Sequence, residues 1–260
     1  MSAEQNQAPP PDKSAMAAKS AFVVGYTGEC GKELARLLLT HRFFRRLVFV
    51  GRRNIETDND PVLKDMEQIV VDFDNLSAHK DAFTGMDIGF CCLGTTVAKS
   101  GKEGVEKVDH DYVVNTARMA KDAGVSHFHL ISSVGAKPNA FFHYTRVKGQ
   151  AENDVRALGF SRCTIYRPAF LLCERSEQRT RERITMSIVK PLSIVMPTLM
   201  SVPTVSVAKA MIWSNFVSTP AATPVTKDDT DTPHAEIVDN EKIHEFAKLF
   251  DAAFEEKPAA

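Results

Sequence analysis

The chain has 260 residues, 43% of them hydrophobic and 25% charged, which fits one large or two small soluble domains with room for a sizeable core. A formal net charge of −1 gives no global pull toward nucleic acid or an anionic membrane. No stretch of about 18 apolar residues is present to span a bilayer.

The first nineteen residues are rich in Ala, Pro, Ser and Gln and lack a basic start followed by an apolar core. They do not read as a secretory leader, and a disordered tail is expected there. The odd count of five cysteines (Cys30, Cys91, Cys92, Cys163 and Cys173) then favours reduced thiols and a cytoplasmic protein.

Phe22–Val24 is a short apolar run, followed by Gly25, Gly28 and Gly31 and then by a helical pattern with Leu34, Leu37 and Leu38 on one face. This is the layout of a strand, a tight turn and a helix start. Glycine admits backbone angles that a Cβ forbids and lets the main chain approach a pyrophosphate. Unpaired N–H groups and the dipole at the helix start favour the anion. Such a glycine pattern also occurs in plain strand-to-helix connections, so it needs support from the rest of the chain.

Further apolar runs lie at 47–50, 69–71, 88–93, 127–132 and 163–168, with helical spacing over 105–123 and 143–158. Alternating β and α patterns mean βαβ units, hence a Rossmann-like α/β fold with a doubly wound parallel sheet. The connection over 51–68, with Pro61 and several Asp and Asn residues, leaves room for a short helix at most. Residues 20–255 form one domain. Within it, 174–204, with four arginines and three prolines, is expected to cover the cleft as short helices and loops. Val205–Phe216 reads as a helix, 218–234 as an exposed loop, 235–238 as a last strand and 241–254 as a last helix.

The second strand ends in Gly51-Arg52-Arg53. In a dinucleotide fold this end lies beside the adenosine ribose, where an acidic residue accepts from the 2′-hydroxyl and arginine pairs with a 2′-phosphate. Arg52 and Arg53 therefore predict NADPH over NADH, the plainer alternative being solvated surface charge. Asp72, after the third strand, is placed either to accept from the adenine amino group or to cap a helix. Leu93 and Gly94, after the fourth, bring backbone toward the ribose and nicotinamide. Neighbouring Cys91 and Cys92 point to opposite faces of a strand and read as small packing groups. No further Cys/His pair stands at ligand spacing, so no metal is expected.

Tyr144 and Lys148, at i and i+4, share one helix face. A phenol titrates near 10, and a nearby ammonium stabilises its phenolate. Tyr144 is thus a candidate proton donor to a carbonyl, or acceptor in reverse. Ser132 and Ser133 close the fifth strand eleven or twelve residues earlier, and either hydroxyl suits a substrate oxygen. A lone Tyr–Lys pair is usually ordinary helix packing. Its place after a serine-ended strand, in a chain with the glycine turn, argues for chemistry.

These residues resemble the short-chain dehydrogenase/reductase family, in its atypical branch. The likeness is carried by Gly25–Gly31, Val50-Gly51-Arg52-Arg53, Val70-Val71-Asp72-Phe73, Gly89–Thr96, Ser132-Ser133, Val147-Lys148-Gly149, Arg167-Pro168 and Leu171-Leu172-Cys173, and runs from about residue 20 to 254. The resemblance implies an NADPH-binding Rossmann fold with Tyr144 as proton donor and Lys148 as its partner. It places Thr27, Gly28, Glu29, Cys30, Arg52, Arg53, Leu93 and Gly94 at the cofactor, with Leu171 and Arg179 as late contacts. It also implies roles in apoptosis, transcription, nuclear import or trafficking through protein partners, with the nuclear envelope or nucleus as a second location. The Ser-to-Tyr interval is one or two residues shorter than is usual in the family, so the choice between Ser132 and Ser133 stays open, as does a proton-relay role for Asn115.

Two functions are consistent with the sequence: an NADPH-dependent oxidoreductase acting on a small carbonyl or alcohol, and an NADPH-gated regulatory protein acting through partners. A hydrolase using Ser133 with His127 or His129 lacks the Gly-x-Ser-x-Gly elbow, and kinase motifs are missing. No basic, aromatic-interleaved stripe suggests direct nucleic-acid binding. The helices flanking Tyr144 are compatible with a monomer or a homodimer.

Overall fold

All five residues of the first strand, Ser20–Val24 (β1), are buried. A strand without polar alternation must be covered on both faces, which is the condition of a central strand in a parallel sheet. The computed structural model describes residues 13–57, 59–172, 201–217 and 234–255.

A helical turn, α1 (Ser14–Ala17), precedes β1, and α2 (Glu29–His41) follows it. Then come β2 (Arg46–Gly51), β3 (Glu67–Val70), a 3₁₀ segment over Phe73–Ala82 and β4 (Ile88–Cys91). Next are α3 (Val97–Glu106), a π turn over Lys107–Asp111, α4 (Tyr112–Asp122), β5 (His127–Ile131), α5 (His143–Ala157) and β6 (Arg162–Arg167). The described chain closes with β7 (Phe170–Leu172), β8 (Ser201–Pro203), α6 (Thr204–Trp213), β9 (Glu236–Asp239) and α7 (Asn240–Phe254).

Seven strands form one sheet in the order β3-β2-β1-β4-β5-β6-β9, and every pairing is parallel. This is the Rossmann-like doubly wound fold expected from the alternating pattern. The order reverses between β1 and β4, the switch point at which such sheets open a crevice beyond their carboxyl ends. Strand alternation sorts the core into two layers. Phe22, Val24, Val50 and Cys91 pack with α4 and α5, while Val23, Phe49, Phe90 and Cys92 pack with α2, α6 and α7. Cys91 and Cys92 thus lie on opposite faces.

The structure corrects the sequence expectation at one place. Residues 13–19 are not a free tail: Met16 is buried, and the Lys13 ammonium stands over the Phe43 and Phe254 rings at 5.3 and 4.6 Å. An apolar anchor and a cation–π contact hold this stretch, and neither shows in its composition. No helix forms over the described part of 51–68, where turns dominate and Asp60 pairs with Arg36 at 2.6 Å. Of the segment 174–204, only 201–204 lies among the described residues, as β8 and the first residue of α6. Residues 1–12 and 218–233 also fall outside them.

Candidate cofactor and active site

The glycine turn sits at the β1–β4 switch point, and its three glycines are there for different reasons. Gly25 has φ +77°, and a Cβ there would come within 2.5 Å of the Cys92 carbonyl carbon. Gly31 packs on the turn itself, since its Cβ would run into the Gly25 carbonyl oxygen. Gly28 has an ordinary φ of −81°, and its Cβ would meet nothing nearer than the Gly25 oxygen at 3.3 Å. Gly28 is the exposed N-cap of α2 and supplies no side-chain acceptor to the first turn. The helix end is therefore left uncapped by side chains, with Thr27 and Glu29 exposed beside it and Cys30 buried beneath. An anion fits such an end through main-chain N–H groups and dipole.

Tyr26, within the turn, buttresses the end of β2. Its hydroxyl lies 3.1 Å from the Arg53 carbonyl oxygen and 3.1 Å from Gln68 Oε1. Gln68 in turn accepts from the Ile55 N–H at 2.8 Å and donates to its carbonyl at 3.1 Å. Gly51 is obligatory here, because a Cβ would come within 2.8 Å of the Tyr26 ring. The Arg52 and Arg53 side chains are exposed at this pinned strand end. Burial pushes the Tyr26 phenol up, with Arg53 opposing, so it stays a neutral donor.

Asp72 caps the 3₁₀ segment, its Oδ1 accepting from the Asp74 N–H at 2.9 Å. The capping role weighed from sequence is thus present, at an exposed residue just after β3. Leu93 is half-buried against the core, and Gly94 is exposed above Lys148: a Cβ at Gly94 would stand 3.7 Å from Lys148 Nζ. Leu171 lies apart from the main sheet, in the small parallel pair β7–β8, and is 40% exposed. Arg179 lies outside the described residues.

Tyr144 opens α5 and is half-exposed, and Lys148 follows one turn later with only 4% exposure. Lys148 Nζ is held 2.9 Å from Asp109 Oδ1 and donates to the Ile131 carbonyl at 3.3 Å. Asp109 is fully buried, and its other oxygen accepts from the Thr95 N–H at 2.8 Å. Burial alone would lower the Lys148 pKa, but the charges of Asp109 and Tyr144 outweigh it and hold the ammonium above the usual lysine range. Helix α5 is itself anchored to β6 by a two-pronged contact between Arg167 and buried Glu152.

Sequence reasoning missed Asp109. It falls on the same face as Val105 and Tyr112, and a carboxylate on the buried side of a helix demands a cation. Asn115 is not the central partner: it lies four residues past the π turn, near Arg118 at 3.4 Å, and borders a surface hollow of about 290 Å³ with Asp74 and Lys107.

Ser132 and Ser133 separate. Ser132 is 4% exposed and its Oγ has no partner among the described residues, whereas Ser133 is half-exposed with its Oγ donating to the Val134 carbonyl at 3.3 Å. His127 and His129 are core groups. His127 bonds Thr164 Oγ1 at 2.9 Å, and His129 bonds Tyr166 Oη at 3.0 Å and Asn215 Oδ1 at 3.1 Å. Among the described residues, no group of three His, Cys, Asp or Glu is arranged to hold a metal, and no helix is long and apolar enough to cross a membrane.

The family profile described as NAD(P)H-binding matches residues 25–212. The chain belongs to this NAD(P)H-binding family. Binding of a nicotinamide cofactor follows from membership. Within the family, the shared motifs resemble those of the Tat-interacting oxidoreductase. Rat protein HTATIP2 bears that out, at 40% identity over 200 residues, 77% of this chain and 82% of the relative. Protein fmp52-1 of Aspergillus oryzae, named mitochondrial, is 35% identical and covers 62% of this chain and 69% of its own length. Among solved structures, MoeE5 in complex with UDP-glucuronic acid and NAD aligns with a TM-score of 0.60 at 13% identity, over 85% of this chain and 75% of MoeE5. A mutated uronate dehydrogenase aligns with a TM-score of 0.59 at 12% identity, over 89% and 80%. At that identity the NAD-dependent structures bear on the fold alone.

The relatives correct the expected location. Further family members from Emericella nidulans and Eremothecium gossypii are also named mitochondrial, which points to mitochondria in place of the cytoplasm or nucleus. Neither the lack of a secretory leader nor the cysteine count bears on import into an organelle.

Proposed function

We propose that this NAD(P)H-binding chain is an NADPH-dependent oxidoreductase that reduces a carbonyl, or oxidises the matching alcohol, with Tyr144 as the acid–base group. The observation that carries the proposal is the buried Lys148 ammonium. It lies one turn from Tyr144 and directly beneath Gly94, at the strand end that faces the cofactor crevice.

The residues present fit the cofactor. The uncapped α2 N-terminus at Gly28, with Thr27, Glu29 and Cys30, would hold the pyrophosphate, with Gly25 and Gly31 shaping the turn. Arg52 and Arg53 would pair with the 2′-phosphate. Asp72, Leu93 and Gly94 would flank the adenine and ribose, with Leu171 and Arg179 as later contacts. Bound NADPH supplies the hydride. Tyr144 gives its proton to the carbonyl oxygen, and Lys148 stabilises the phenolate left behind. Of the two serines, half-exposed Ser133 is the one that would hold the substrate oxygen, since Ser132 is buried.

Consumption of NADPH across a set of carbonyl compounds, with Tyr144→Phe as control, tests this. Turnover should fall by about 10² or more in the variant, while NADPH affinity by calorimetry stays intact. A rate unchanged in Tyr144→Phe would sink the acid–base role.

A second reading, partner binding gated by NADPH, is favoured by one feature. Phe141 and Phe142 are 91% and 71% exposed just ahead of Tyr144, on a loop whose carbonyls at Ala140 and Phe141 are gripped by Arg146. Exposed aromatics on a fastened loop suit a protein contact. Partner binding that survives Tyr144→Phe would support that role independently of turnover.

A further inference from the structure

Asp109 belongs to neither α3 nor α4 but to the π turn between them, Lys107–Asp111. A π turn carries one residue more than an α turn and shifts the facing of what precedes it. The turn delivers a carboxylate to a fully buried position, where both of its oxygens are engaged. Oδ1 meets the Lys148 ammonium at 2.9 Å, and Oδ2 takes the Thr95 N–H at 2.8 Å. Thr95 directly follows Gly94, so a single side chain joins the lysine of the Tyr144 pair to the loop that ends β4.

Removing a buried charge pair from water is costly, and such pairs are weak devices for stability alone. Here the pair lies against a crevice rather than in the middle of a layer, and it spans two of the segments that must agree for a cofactor to sit between them. The charged and titratable groups facing Lys148 are Asp109 from the π turn, Tyr144 from its own helix and the Cys91 thiol from β4. Burial pushes that thiol up to about 11, so it is neutral and Asp109 is the anion that balances the lysine.

We propose that Asp109 is a positioning residue that keeps Lys148 charged and aimed at the crevice and locks it in register with the Gly94–Thr95 loop. This rests on the reading of the site as an NADPH-dependent oxidoreductase. With Asp109 paired to it and the Ile131 carbonyl accepting from it, the Lys148 ammonium keeps its remaining donor capacity for the cofactor ribose and the Tyr144 phenolate.

The test is a double-mutant cycle in NADPH affinity, by calorimetry on the full chain, with Asp109→Asn, Lys148→Met and the pair. Without its counter-charge a buried ammonium loses its proton more readily, so Asp109→Asn should bind NADPH within about threefold of wild type near pH 6.5 and about tenfold more weakly near pH 9. Wild type should stay flat over the same range. In the Lys148→Met background, Asp109→Asn should change affinity by less than about twofold at either pH, because the residue acts through the lysine.

Equal losses in both backgrounds, or a loss independent of pH, would show a merely structural Asp109 and overturn the proposal. So would an Asp109→Asn variant indistinguishable from wild type. Failure of wild type to bind NADPH would instead overturn the reading of the site, and the proposal with it.

Should Asp109→Asn not fold, Lys148→Met alone still decides. It strands a buried carboxylate, whose pKa would then rise on folding, so the melting temperature of this variant should fall further below that of wild type as pH rises from about 5 to 8. A difference from wild type that does not change with pH would remove Asp109 as the partner of Lys148.

Discussion

The Tyr26 hydroxyl lies 3.1 Å from the Arg53 carbonyl oxygen, so a side chain from the glycine turn fastens the strand end that carries the arginine pair. The glycine turn and the β2 end, the two halves of the proposed cofactor site, are mechanically one unit. Tyr26→Phe keeps the ring and deletes the link. It should cost about 0.5–1.5 kcal/mol in stability, the net worth of a typical hydrogen bond. NADPH affinity should fall severalfold while NADH affinity holds, read by calorimetry with both cofactors. An equal loss for both would mean that Tyr26 supports the turn and not Arg53.

Arg52 and Arg53 are exposed in a chain without bound cofactor, so replacing them should leave the melting temperature nearly unchanged. Their value is in binding. The Arg52→Ala/Arg53→Ala chain should lose NADPH affinity by roughly tenfold or more, in line with charge-assisted bonds to phosphate, and bind NADH as before. Wild-type affinities that are equal for the two cofactors would remove the basis for choosing NADPH.

The glycines of the turn should respond differently to alanine. Gly25→Ala combines φ +77° with a collision against the Cys92 backbone. It should cost more than about 2 kcal/mol by urea unfolding, through strain and displaced backbone together. Gly28→Ala has neither problem and should stay within about 1 kcal/mol of wild type, yet it places a methyl group where a pyrophosphate would lie, so cofactor affinity should drop sharply. If Gly28→Ala binds NADPH normally, the phosphate does not sit on the α2 N-terminus.

His129 packs against the Phe90, His127 and Tyr166 rings, with centroids at 4.5, 3.8 and 6.0 Å. Burial, reinforced by Arg162, pushes the His129 imidazole down to about 3. Burial likewise holds His127 well below its ordinary value, with the neighbouring histidine adding to the effect. Both pKa values are depressed on folding, so in acid the unfolded chain binds more protons than the folded one. Stability should therefore be full above the unfolded value of about 6.5 and fall as pH drops toward 3, by up to about 1.4 kcal/mol per pH unit for each histidine. His129→Gln should flatten that decline in melting temperature between about pH 6.5 and 4. An unchanged acid slope would assign it to other groups.

The centre of the sheet was legible because strands such as β1 and β4 are short, doubly buried apolar runs, the pattern that parallel sheets impose. The Tyr144–Lys148 face was legible because i and i+4 always meet on a helix. Asp109 was not, because its place depends on a π turn that no local spacing announces. The contact of Tyr26 with Arg53 was not, because it depends on the register of β1 against β2. Residues 13–19 looked like tail because a single anchoring methionine carries no period. Leu171 was placed by resemblance, and its setting in a separate small sheet depends on Ser201–Pro203, some thirty residues further along.

Strand β9 pairs with β6 across more than seventy residues of chain, Thr164 facing Glu236 and Arg167 facing Asp239. Among the described residues, the β6 edge of the sheet therefore stays open until residues 236–239 have been made. A nascent chain stopped before residue 236 would carry the glycine turn, the arginines, Asp109, Tyr144 and Lys148, and also an unsatisfied row of backbone donors and acceptors on β6. Such an edge is where strands of different molecules join. Strand β9 covers that row and leaves at the edge of the described sheet a shorter strand that begins with Glu236 and ends with Asp239, charges that work against such joining.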